Sequence, residues 1–89
     1  MARLEFSALE TNDVAAQGGG VDALFELGIM HATGREVGVD LVLAHKFFNL
    51  AAMRGNDEAR RYRMEISREM NKRQIAEAQR QAREWIRAH

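Results

Sequence analysis

Histidine, serine and carboxylate side chains are the groups through which this chain could do acid–base, nucleophilic or metal chemistry. In 89 residues it has His31, His45 and His89, two serines (Ser7 and Ser67), and no cysteine. A zinc site needs three or four ligands at fixed spacing, such as paired histidines one helical turn apart with a glutamate between. Neither that spacing nor a His-x-x-Glu pair is present. His31 and His45 fall on adjacent predicted helices and could approach one another, yet no further ligand accompanies them. Packing is expected of His31 and a surface position of His45. Ser7 and Ser67 have no base marked beside them in sequence, so nucleophilic catalysis has no support. The carboxylates are spread along polar stretches rather than gathered near apolar walls that would split their pKa values. The expectation is a chain that is not an enzyme and uses no metal or cofactor.

Charge raises a different possibility. Residues 1–53 carry three basic and seven acidic side chains, a net of −4, and residues 54–89 carry ten and six, a net of +4. Such polarity can steer a charged partner or bring two copies together head to tail, although solvated helix faces explain it more simply. The basic half also contains Tyr62 and Trp85, which could stack on nucleic-acid bases. But its basic residues are interleaved with acids, and both aromatics lie on apolar stripes, so nucleic acid is not the expected partner. A membrane is not expected either. No stretch is long and apolar enough to span one, and no helix pairs a broad apolar face with a purely basic one. The N-terminus has Arg3 but no apolar run like a signal-peptide core, so a cytoplasmic, soluble protein is the default expectation.

These side chains must be positioned by helices, because apolar residues recur at spacings of three and four and proline is absent. Residues 1–17 have scattered apolar side chains without a period, and Gly18-Gly19-Gly20 makes a joint. Residues 1–20 are therefore read as an N-terminal segment and linker, and 21–89 as one helical domain. A first helix is predicted from an Asp22 N-cap to Gly34, with Leu24, Leu27 and His31 on one face and Gly28 beside them. Glycine in a helix interior costs up to about 1 kcal/mol relative to alanine, which makes close approach of a second helix its expected purpose.

Asp40 is predicted to cap that second helix, running from Leu41 to about Arg54 before Gly55. Ala44, Phe48, Ala51 and Ala52 share one side, but Val42, Leu43, Leu50 and Met53 are apolar too. A helix apolar nearly all round needs cover on several sides. The N-terminal segment or a second copy of the chain is the expected cover, with Val42, Leu43, Leu50 and Met53 as candidate self-association residues. Asn56 is predicted to cap a third helix bearing Ala59, Tyr62, Ile66 and Met70, with an Arg61–Glu65 pair one turn apart. Asn71 and Gln74 form a capping-box variant opening a fourth helix, striped by Ile75, Ala78, Ala82, Trp85 and Ile86.

The series Ala23, Leu27-Gly28, Met30, Gly34, Val37, Asp40, Ala44, Phe47, Ala51-Ala52, Gly55 and Ala59 resembles the Sel-one-like repeat, a relative of the tetratricopeptide repeat. Ala23 and Ala59 are 36 residues apart, a period such repeats use. The likeness covers residues 22–59 and continues loosely into QIAEAQRQAREW, which is similar to the terminal helix that follows such repeats in bacterial proteins. It departs where Arg63 and Met64 stand for Leu-Gly, where His31 replaces an aromatic, and in a shorter linker between the third and fourth helices. The fold this implies is all-α, a short tetratricopeptide-like α/α solenoid of about four antiparallel helices. Residues 21–55 would be a full repeat and 56–89 a degenerate repeat or cap.

The function it implies is a non-enzymatic adaptor or scaffold that binds a peptide or protein surface on its concave face. Carried over by position, that face comprises Asp22, Phe25, Ile29, Ala32 and Thr33 on the first helix. On the third it comprises Glu58, Arg61, Glu65, Arg68 and Glu69. Phe25 and Ile29 stand out, since a solvated face has little reason to carry them. Residues 1–17 folding over them in place of a missing repeat is the competing account, and a self-associating structural protein the competing function.

Overall fold

The structure, a computed structural model, describes residues 20–89, and the expectations placed on residues 1–19 lie outside them. The described residues form four helices and no strand: α1 (Val21–Thr33), α2 (Leu41–Met53), α3 (Asp57–Ser67) and α4 (Lys72–Ala88). None is long and apolar enough to cross a membrane.

Three of the four helix starts follow from a side-chain cap. Asp40 accepts a hydrogen bond from the Leu43 N–H (3.0 Å) and Asn56 from that of Ala59 (2.9 Å). Asn71 and Gln74 exchange reciprocal bonds of 2.8 and 2.9 Å. Each satisfies a backbone donor the helix itself cannot, which is worth about 1 kcal/mol. The start of α1 differs from expectation. Gly20 occupies the N-cap with no side-chain bond, and Asp22 lies inside the first turn, where its charge still opposes the positive end of the helix dipole.

The C-terminus of α1 turns at Gly34, whose φ of 78° lets its own N–H and that of Arg35 both donate to the Met30 carbonyl. Two residues on, Glu36 takes a φ of 69°. An L-residue with a Cβ is strained there, so Glu36→Asn is expected to raise stability by about 0.5–1 kcal/mol, measured by urea denaturation.

Helix α2 is the axis of the packing, since each of the other three helices makes its main contacts with it. Helices α3 and α4 cover part of the apolar surface of α2, which leaves Val42 and Leu43 half-buried and Met53 exposed, while the expected cover by residues 1–17 lies outside the described residues. The fourth helix docks on α2 rather than folding back chiefly on α3. Small residues make the approaches possible: Ala44, Ala51, Ala59 and Ala78 have no exposed surface at all. At Gly28 the neighbour is a ring rather than backbone, because a Cβ built there would fall 2.6 Å from Cδ1 and Cε1 of Phe48. Met70, expected on the third helix, is instead buried in the turn that follows it.

Candidate partner-binding surfaces

Chemistry at the histidines resolves into packing. His31 is buried and its ring stacks on Phe47 at 5.8 Å, as its place on the α1 core face led one to expect. His45 was expected at the surface and is only 3 % exposed. Its Nε2 lies 3.1 Å from the Ser67 hydroxyl, a serine–histidine distance that sequence spacing gave no sign of. The direction of that bond can be worked out. The Ser67 hydroxyl donates its single proton to the Arg63 carbonyl (2.7 Å), so His45 Nε2 must be the donor toward Ser67 Oγ. The imidazole N–H therefore donates a hydrogen bond to the serine rather than accepting one from it, which is the reverse of what activates a nucleophile. His45 Nδ1 keeps a buried lone pair with no partner. Burial first, and the Arg63 cation second, push the His45 pKa below its ordinary value. Burial does the same to His31, with Asp40 opposing and Lys46 assisting. Among the described residues no group of three or more potential ligands is placed to hold a metal ion.

Arg63 extends this polar seam by donating to Asn49 Oδ1 at 2.6 Å. His45 and Asn49 sit one turn apart on α2, and Arg63 and Ser67 one turn apart on α3, so the two pairs mesh across the interface. The sequence signal was available in that matched spacing, though nothing marked the two pairs as facing each other.

The residues expected to form a concave face occupy two stripes. On α1, Asp22 and Thr33 are exposed while Phe25 and Ile29 are half-buried, and the Thr33 hydroxyl is tied back to the Ile29 carbonyl at 2.8 Å. On α3, Arg61 and Glu65 are exposed, and Arg68 follows as the exposed C-cap rather than as a helical residue. The expected Arg61–Glu65 pair gives way to Arg61–Glu58, at 3.9 Å. Tyr62 joins the two stripes. Its ring centroid lies 5.7 Å from that of Phe25 and 5.6 Å from that of Phe48, and Phe25 in turn lies 5.8 Å from Phe48. Phe25 is thus partly a structural residue, because its ring contacts both Phe48 and Tyr62.

The self-association candidates divide. Val42 and Leu43 pack against the core and are half-buried, and Leu50 is only 2 % exposed, so Leu50 is withdrawn as a surface residue. Met53 is 61 % exposed. It borders an open groove of about 250 Å³ between the ends of α2 and α4, lined also by Leu50, Arg54, Trp85, Ile86 and His89.

No protein-family model matches the chain, and no curated protein or solved structure matches it either.

Proposed function

We propose that this chain is a non-enzymatic protein-interaction module, built on the tetratricopeptide-like plan its sequence resembles, that holds a peptide or protein surface against α1 and α3. The observation that carries this reading is the Phe25–Tyr62 contact, a ring pair at 5.7 Å that links α1 to α3 where both pack on α2. Half-buried Phe25, Ile29 and Tyr62 then provide apolar surface, with exposed Asp22, Thr33, Arg61, Glu65 and Arg68 at hand for polar contacts. An apolar strip edged by charge has the composition of a contact surface. The direction of the His45–Ser67 bond argues against Ser67 as a nucleophile activated by His45.

Replacing Phe25 is a poor test, because its loss would also damage the aromatic cluster. Arg61→Glu with Arg68→Glu is better suited, since both side chains are exposed and neither contributes to the core. The variant should keep its helical circular dichroism and melt only a few degrees lower, the cost of the lost Arg61–Glu58 pair and of a negative charge at the end of α3. Affinity purification from source cells, read by quantitative mass spectrometry, should then show at least one protein retained by the parent and lost from the variant. Identical protein profiles from the two baits would remove the α1–α3 surface from consideration.

A further inference from the structure

The groove between the ends of α2 and α4 is a second open apolar surface, distinct from the α1–α3 face. Buried Leu50 forms its floor, while Met53 and Ile86 stand 61 % and 44 % exposed at its sides. Over the Trp85 ring lies the Arg54 guanidinium, 5.3 Å from the centroid, and the His89 ring stacks on the same indole at 4.5 Å. At about 250 Å³ the groove falls below the ~300–1,000 Å³ of small-molecule sites and suits one or two polypeptide side chains.

Its charge is one-sided. Arg54 and His89 are the ionisable side chains that line it, and no Asp or Glu side chain does. Arg54 takes part in none of the ion pairs among the described residues. A guanidinium resting on an aromatic face keeps its in-plane N–H donors available, in a geometry suited to a carboxylate. A second copy docked groove to groove would bring two Arg54 side chains and two +4 segments together, which the charge opposes. Nucleic acid is disfavoured because the indole is already engaged by Arg54 and His89, so a stacking base would compete with them.

We propose that this groove receives an acidic, amphipathic polypeptide segment. One apolar side chain seats between Met53, Trp85 and Ile86, and a carboxylate at a neighbouring position takes the Arg54 guanidinium in a charge-assisted hydrogen bond. The anchor supplies apolar burial and the carboxylate supplies direction, so a segment lacking either binds poorly.

Trp85 is the sole tryptophan of the chain and therefore reports on this groove alone. The probe is the peptide Ac-Glu-Leu-Phe-Glu-Leu-Glu-amide, added to the full chain while Trp85 emission is followed. A dye-labelled copy gives the affinity independently by anisotropy. Saturable binding with a shift in Trp85 emission is expected. Affinity should fall by about tenfold or more when glutamine replaces the peptide's glutamates, when Arg54→Glu is introduced, or when Ile86→Asp is introduced. Arg54 and Ile86 are both exposed, so these variants should stay folded at the assay temperature, melting a few degrees below the parent as the Arg54–Trp85 contact or the partly covered Ile86 surface is lost. The double variant Arg61→Glu with Arg68→Glu should bind the probe normally, which separates this groove from the α1–α3 face. Equal affinity for the glutamine peptide, indifference to Arg54→Glu, or no binding at millimolar peptide would each overturn the proposal. So would tighter binding of oligo(dT), or a concentration-dependent dimer that shifts Trp85 emission without peptide.

Discussion

Gly28→Leu should lower the melting temperature by roughly 10–20 °C, equivalent to about 2–3 kcal/mol in a domain of this size. Two effects oppose each other at this position. Replacing a mid-helix glycine improves helix propensity by up to about 1 kcal/mol. Against that, the first added carbon alone would sit 2.6 Å from two atoms of the Phe48 ring, well inside van der Waals contact. Phe48 has no exposed surface and lies against Phe25 and Tyr62, so its ring cannot swing aside without opening the junction of α1, α2 and α3. Packing wins. Even Gly28→Ala should therefore destabilise, in spite of its propensity gain. Combining it with Phe48→Leu should recover part of the loss, and the coupling in that double-mutant cycle measures the contact directly. An unchanged melting temperature for Gly28→Leu would mean that α1 and α2 do not approach there.

That prediction rests on a feature readable in the sequence, and the reason is physical. A glycine inside a helical period is unfavourable by itself and points to a neighbour. Asp40, Asn56 and the Asn71–Gln74 pair were readable for a similar reason, because a cap acts within three residues of its own helix. Features that depend on distant residues were not readable. The cover over α2 comes from α1, α3 and α4 together, and periodicity along one helix says nothing about which other helices meet it. His45 counts as polar in any hydrophobic pattern, yet it can be buried because Ser67, 22 residues away, accepts a hydrogen bond from its N–H. Leu50 and Met53 look equivalent on an apolar helix, and only the position of α4 makes one a floor and the other a rim. The Arg54–Trp85 contact likewise joins residues that no local rule connects.

The polar seam between α2 and α3 has the character of a specificity device within an otherwise apolar interface. A slide of α3 along α2 would separate the His45–Ser67 and Arg63–Asn49 bonds together, leaving buried donors unsatisfied. Burial of neutral imidazoles carries a further consequence, which is sensitivity to acid.

Stability should fall as pH drops below about 6.5, the ordinary histidine value expected in the unfolded chain. Above that pH, His31 and His45 are neutral whether the chain is folded or not, and they impose no pH dependence. Below it the unfolded chain takes up protons first, because burial holds both folded-state values lower. Each histidine then contributes a loss of up to about 1.4 kcal/mol per pH unit, until the pH reaches its folded value. The window from pH 6.5 to 5 lies above ordinary carboxylate titration, and Glu77, held at about 2 by its hydrogen bonds to Arg80 and Gln81, stays ionised throughout. Urea denaturation across this window should show the decline, and His45→Leu should shallow it by removing one of the two protons. Ser67→Ala isolates the other half of the argument. At pH 7 it strands the buried His45 N–H and should cost about 1–3 kcal/mol, whereas Ser67→Ala combined with His45→Leu removes donor and acceptor together and should cost less than the single change. Stability that rose on acidification, or a double variant worse than Ser67→Ala alone, would show that the imidazole is not the neutral donor its neighbours require.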